Sequence, residues 1–184
     1  MSNSFNIVHK VRVTNDQVLL NDTLILLCDV KGSEFATACY KHLKIHYPKF
    51  YKMDLMSKWG IICAELLLQN QNPESTDDYK KAIILQNSSS SLLTDKNYQH
   101  SMKSIASPAL FVYTLPNIVM GEIAIRHRFK GENTFFVTRV FDETQLMDYV
   151  EMLFKNNIAD VAICGYLEVT DNAQDIVMWL AIKK

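Results

Sequence analysis

No apolar run in this sequence is long enough to cross a bilayer. Stretches such as 18–20 and 24–28 fall far short of the roughly 20 residues that a membrane helix needs. Residues 1–6 are mostly polar, and no basic segment precedes an apolar one there, as an export signal requires. An excess of one charge is missing too: 19 Lys and Arg stand against 20 Asp and Glu, a formal net charge of −1. A general nucleic-acid binder would carry a basic face instead. The four cysteines, Cys28, Cys39, Cys63 and Cys164, lie far apart in apolar surroundings, which argues for reduced, buried thiols and against a disulfide framework. The serine run 88–91 lacks the glycines and lysine of a phosphate loop. The expectation is a cytoplasmic protein with no membrane or nucleic-acid partner, no metal and no cofactor.

What is present suits one domain. The chain has 184 residues, 48% of them apolar and 21% charged. A chain of this size buries roughly two thirds of its unfolded surface. Alternating apolar residues around Phe5, Ile7, Val11 and Val13 predict a strand, with turns at Asn15-Asp16 and Asn21-Asp22 separating it from strands over 17–20 and 23–30. Ser33 is a cap for a helix to about 46, where Pro48 ends it. Met56, Trp59, Cys63, Leu66 and Leu67 recur at helical spacing within a helix over 53–69. A loop at 72–75 leads to a short strand over 82–85, and Thr94 or Asp95 caps a third helix. Pro116 opens a fourth over 116–129. A strand over 134–137 precedes a fifth helix capped by Asp142, and strands over 160–167 and 175–182 are joined by a turn at Asp171-Asn172. Helices alternating with strands make an α/β layer fold.

Several short motifs in order carry a resemblance. Ser107-Pro108 with Phe111, Asn117 with Gly121 four residues on, Lys130-Gly131, and Ala159-Asp160-Val161 with Gly165 resemble the β-ketoacyl synthase family of the thiolase-like fold. Upstream, Met53-Asp54, the helix through Ala64-Glu65-Leu66 and the strand with its serine loop before Thr94-Asp95 resemble earlier parts of the same family. The likeness spans about 47–170. It implies a thiolase-like half-fold: a mixed five-stranded-type sheet flanked by helices, with 134–137 expected at its centre.

The departures from the family carry the functional expectation. Where the family has Thr-Ala-Cys at a strand-to-helix turn, this sequence has Thr138-Arg139-Val140. Valine supplies no nucleophile, so no acyl-enzyme forms there. Phe141-Asp142-Glu143 replace the small residues that follow, and two acids disfavour an anionic intermediate at a helix start. The family's second half, which supplies histidines, a lysine and an oxyanion loop, has no counterpart here. The resemblance therefore implies a non-catalytic subunit. Its partners would be a second copy of itself or a full-length synthase, in fatty-acid, polyketide or polyene-type biosynthesis. Asn117, Gly121, Ile125, Val137 and Thr138 are the expected interface.

Other candidates have plainer readings. Arg126, Arg128 and Lys130 form a basic cluster beside His127; it is either favourable charge at a helix C-terminus or a dock for an acyl carrier protein. Thr37-Ala38-Cys39 copies a nucleophile motif but falls inside a predicted helix. Cys39, His42 and His46 share a helix face without a fourth metal ligand. Glu65 and Glu122, on two apolar helices, are candidates for an acid–base pair. An enzyme of other chemistry and an acyl-binding module with a tunnel beside Val140 stay open.

Overall fold

The computed structural model describes residues 4–71, 75–171 and 173–184. Residues 72–74 of the expected loop and Asn172 of the last turn lie outside the described residues. The chain forms β1 (Phe5–Val13), β2 (Gln17–Leu20), β3 (Thr23–Leu27), α1 (Gly32–His42), α2 (Leu55–Leu68), β4 (Lys81–Asn87), α3 (Leu92–Ser101), α4 (Pro108–Val112), α5 (Ile118–His127), β5 (Asn133–Val137), α6 (Glu143–Lys155), β6 (Val161–Val169) and β7 (Gln174–Lys183). The strands make one sheet in the order β3-β2-β1-β7-β6-β4-β5. β4 runs parallel to β5 and β6, and the other pairings are antiparallel.

The expected mixed α/β fold is present, with two differences. The sheet has seven strands instead of five. The N-terminal hairpin does not stand apart: Asn21 and Asp22 both take positive φ, 50° and 62°, the geometry of a two-residue hairpin turn, and β1 joins that hairpin to β7. The second difference concerns 134–137, which is not central. β5 is an edge strand, paired only with β4 among the described residues. Its side chains explain this, because its ends are exposed, whereas every residue of β4 and β6 is buried. A parallel strand buried on both faces reads as a continuous apolar run, and 161–167 fits that better than 134–137.

Element ends shift for local reasons. α1 starts at Gly32, with Lys31 as its cap, while Ser33 Oγ accepts from Lys58 Nζ at 2.9 Å. It ends at His42, so His46 is not on it. The 23–30 strand stops at Leu27. α2 is capped by Asp54, which accepts from the Ser57 N–H at 2.9 Å. Thr94 does not cap α3; its hydroxyl donates to Asp54 at 2.8 Å instead, tying α3 to α2. Pro116 precedes α5, which Asn117 leads. Ser107-Pro108, expected as a break, begins the short helix α4, and the Ser107 hydroxyl caps it.

Two cores form. On one face of the sheet, α1, α2 and α5 bury Phe35, Trp59, Ile62, Val119 and Ile123 against Val11, Ile83, Ile163 and Met178. On the other, α6 alone buries Leu146, Val150, Leu153 and Phe154 against Ile84, Ala162 and Trp179. At Gly165 the strands leave no space for a side chain, since a Cβ there would sit 2.3 Å from the Val177 carbonyl oxygen and 2.6 Å from Met178 Cα. Gly165→Ala should therefore destabilise the fold by about 1–3 kcal/mol through overpacking against backbone, read as a lower urea midpoint. An unchanged midpoint would show that β6 and β7 can separate there at no cost.

Candidate functional site

The candidate site lies at the C-terminal ends of the parallel strands, where β5 turns into α6. β5 ends at Val137, and the Thr138 N–H continues the ladder to the Asn87 carbonyl at 2.9 Å. Arg139 and Val140 then bend outward, and Val140 is 72% exposed. Asp142 caps α6 by accepting from the Gln145 N–H at 2.9 Å. A fully buried glutamine holds the turn. Gln86 donates to the Asp142 carbonyl at 3.1 Å and accepts from the Asp142 N–H at 3.1 Å. Phe141 folds back over Tyr166 and Trp179, with ring centroids 5.0 and 6.1 Å away.

Behind the turn sits a carboxylate that the sequence did not single out. Glu168 is 9% exposed. It accepts from the Ser88 N–H at 2.7 Å, the Ser88 hydroxyl at 2.6 Å, the Ser89 N–H at 3.2 Å, the Ser89 hydroxyl, and the Tyr166 hydroxyl at 3.1 Å. Burial pushes its carboxyl up, but these donors outweigh burial and hold it below the usual range. Asn87 bonds both the N–H and the carbonyl of Ser90, and the Ser91 hydroxyl donates to the Thr114 carbonyl at 2.6 Å. The serine run is thus consumed in holding its own loop, as a plain loop would be. A signal was available: polar residues close otherwise apolar strands, Gln86-Asn87 in one and Glu168 in the other.

The thiols are placed for packing. Cys39, Cys63 and Cys164 are buried, and burial pushes all three up, Cys39 and Cys164 to about 12. A thiol so shifted carries no thiolate at neutral pH. Cys39 lies in mid-α1, and Cys28 lies just beyond β3, at the opposite edge of the sheet from β5. His42 and His46 are exposed while Cys39 is buried, so the three do not converge. Among the described residues no group of three or more metal-ligating side chains comes together.

Glu65 and Glu122 are not paired. Glu122 is 4% exposed; it accepts from the Tyr113 hydroxyl at 3.0 Å and pairs with Lys49 at 2.7 Å. Glu65 accepts from Arg126 at 2.9 Å.

The expected interface residues are exposed on two elements. Asn117, Gly121 and Ile125 are exposed along a single stripe of α5, and Val137 is 55% exposed on the β5 edge. A Cβ on Gly121 would meet nothing within 4 Å. The close approach of α5 to α2 is made at Gly60 instead, whose Cβ would lie 2.3 Å from Val119 Cγ2. The Thr138 hydroxyl is buried with no hydrogen-bond partner.

The basic cluster lies at the other end of the sheet. Asp78 pairs with Lys81 at 2.9 Å, Arg128 at 2.9 Å and Lys130 at 3.0 Å, and hydrogen bonds from these cations hold its carboxyl well below the usual range. Lys81 is 2% exposed, so Asp78 neutralises a buried ammonium. Asp78, Lys81 and Arg128 border a cleft of about 770 Å³ also lined by Leu43, Ile45, Leu66, Leu68, Arg126 and His127, among others.

The sequence matches no protein-family model and no curated protein. Solved structures match over nearly the whole chain. The ishigamide ketosynthase/chain length factor matches with a TM-score of 0.72 at 14% identity, over 98% of this chain and 62% of that one. The ketosynthase ApeO in complex with its chain length factor ApeC, from Xenorhabdus doucetiae, gives 0.65 at 11% identity, over 100% and 80%. The AntDE:AntF assembly, a type II polyketide synthase acyl-carrier protein in complex with its ketosynthase, gives 0.73 at 13% identity, over 100% and 64%. The chain therefore has the ketosynthase, thiolase-like fold, and it spans about three fifths of the length of the first of these proteins. No described helix is long and apolar enough to cross a membrane.

Two outcomes test the geometry. Glu168→Ala should lower stability by about 1–3 kcal/mol, because it strands buried donors on Ser88, Ser89 and Tyr166; a urea midpoint equal to wild type would mean that the network is ornamental. The second concerns His127, whose imidazole is pushed down to about 4 by burial, against an upward pull from Glu65, with Arg126 also lowering it. Unfolded, it titrates at its ordinary value of roughly 6.5. Between those values the unfolded chain binds a proton that the folded chain does not. Stability from this group is thus complete above about 6.5 and lost as pH falls toward 4. His127→Gln should flatten the decline in urea midpoint between pH 7 and 5; equal declines in both proteins would refute the assignment.

Proposed function

We propose that this chain is a non-catalytic ketosynthase-like subunit that acts by pairing, with a full-length synthase or with a second copy of itself, in fatty-acid, polyketide or polyene-type biosynthesis. The observations that carry this reading are the open β5 edge and the bare stripe of α5. An edge strand offers unpaired backbone groups and is a template for another strand. Here that edge carries exposed Val137, and α5 carries Gly121 and Ile125, the last 69% exposed. Glycine in a helix costs roughly 1 kcal/mol relative to alanine, and nothing within this chain needs it at Gly121. A partner helix approaching closely would.

The turn supports a non-catalytic role. Val140 stands where the resemblance would put a nucleophile, and three of the four thiols are buried and raised. The proteins of like fold include ketosynthases solved with a chain length factor or a carrier protein. By that likeness a carrier protein would also visit the assembly. Arg128 and Lys130, 70% and 47% exposed, keep cationic groups outward beside Arg126 for such an acidic partner. An acyl-binding module built around Val140 has less support, because the large cleft lies at the opposite end of the strands.

Purified protein should be concentration-dependent in sedimentation, or should co-purify with a co-expressed full-length synthase. Gly121→Leu should weaken that association while leaving the urea midpoint equal or higher, since leucine is the better helix former. Val137→Asp should act in the same direction. The pairing reading is lost if wild type stays monomeric at high concentration and no synthase co-purifies. The non-catalytic reading has its own check: intact-mass spectrometry after exposure to an acyl thioester should detect no stable stoichiometric adduct, and an adduct mapped to Cys39 would overturn it.

A further inference from the structure

Helices α3 and α4 are short and bury almost nothing. α3 has 10 residues and α4 has 5. An isolated helix of fewer than about 12–15 residues is marginal in water, and a folded protein holds such a helix by covering its apolar face. Here Thr94 is the only buried residue of α3, and α4 has none. Half-buried Leu93 touches the core. The other ties are polar: the Thr94 hydroxyl to Asp54, the Ser91 hydroxyl to the Thr114 carbonyl, and Lys96 paired with Asp171 at 2.9 Å. The large apolar side chains are left outside. Met102, Ile105, Phe111, Val112 and Leu115 are all exposed, Ile105 at 85%. The two helices lie together, with the Phe111 and Tyr98 ring centroids 5.4 Å apart and the Ser107 N–H bonded to the Ser101 hydroxyl at 3.2 Å. Single exposed apolar residues are ordinary, but such a group on one hairpin marks a surface that another molecule covers.

The charge pattern says what that molecule is. No Asp or Glu occurs between Lys96 and Gly121. Lys96 is paired, so Lys103 is the only lysine or arginine of that stretch without an ion pair among the described residues. A hairpin that lies on a membrane carries several Lys or Arg beside its apolar residues, and this one does not. A strongly charged partner would find little charge to meet. A nearly neutral apolar surface, by contrast, is complementary to itself. Turned about a two-fold axis it meets its own copy, with one lysine on each side to keep at the rim. The hairpin also runs straight into α5. The Ile118 N–H bonds the Leu115 carbonyl at 3.1 Å, and exposed Leu115 stands two residues before exposed Asn117, where the bare stripe of α5 begins.

We propose that the α3–α4 hairpin is a docking surface for a second copy of this chain, which covers Met102, Ile105, Phe111, Val112 and Leu115 with the same residues of its own hairpin. The proposal rests on the pairing reading and deepens it: it chooses between the two partners and adds a surface outside β5 and α5.

Sedimentation of the full chain across concentrations tests this, with Ile105→Asp and Val112→Asp run beside Gly121→Leu and Val137→Asp. Each new aspartate puts an unpaired carboxylate into the contact, so either hairpin variant should raise the dimer dissociation constant at least roughly tenfold, the scale of a lost interface anchor. Both positions are exposed, so at concentrations where wild type is monomeric the urea midpoint should be unchanged. A second measurement needs no variant: amide exchange over 98–116 should slow as wild type is concentrated through the dimer range. If the hairpin variants dimerise as wild type does while Gly121→Leu does not, this proposal falls and the β5–α5 surface stands. If only the hairpin variants weaken association, the hairpin stands and the β5–α5 surface falls. Association with a co-expressed synthase but never with itself overturns the second copy as occupant. So does vesicle binding that Ile105→Asp abolishes in a chain that never self-associates, and so does a monomeric wild type whose hairpin amides are indifferent to concentration.

Discussion

Strand β4 buries a lysine, a glutamine and an asparagine, and the bonds these three must make organise both ends of the molecule. All seven of its residues are buried between β6 and β5. A polar group taken from water without a partner costs several kcal/mol, and a charge costs far more. Lys81 therefore requires Asp78, and Asp78 in turn collects Arg128 and Lys130. Gln86 requires the backbone of Asp142, which fixes where α6 starts. Asn87 requires Ser90, which shapes the serine loop that encloses Glu168.

The same constraint explains why the two ends have different characters. At the C-terminal end the buried carboxylate and amide groups are satisfied from within, while the Thr138 hydroxyl has no partner among the described residues. Glu168 has five donors, Gln86 bonds both sides of the peptide it holds, and the turn that results presents an exposed valine. What remains open there is backbone: the free edge of β5. At the N-terminal end charge is paired with charge: Asp78 collects Lys81, Arg128 and Lys130, and Glu65 accepts from Arg126.

Sequence reasoning read some features well for physical reasons. The hairpin turn at Asn21-Asp22 was legible because those residues accept positive φ. The capping of α6 by Asp142 was legible because the side chain reaches its own helix N-terminus. The ketosynthase fold was legible from short motifs in order. The centrality of 134–137 was misread. Strand-like residues announce a strand but not its neighbours, and only the parallel pairing of β4 with β6 moved β5 to the edge. Gly121 was noted, but its meaning depended on finding that nothing in the chain approaches it, while Gly60 carries the internal helix crossing.

The sequence by itself determined most of the helices and strands and the absence of a thiol at the β5–α6 turn, because each depends on residues close together along the chain. The tertiary structure alone decided which groups meet across it. Ser88 is 80 residues from Glu168, Gln86 is 56 from Asp142, and Arg126 is 61 from Glu65. Local spacing has no access to such pairings, since they are set by strand order and by the need of each buried polar atom for a partner. For that reason the open edge of β5 and the ion-pair cluster around Asp78 became visible only in three dimensions.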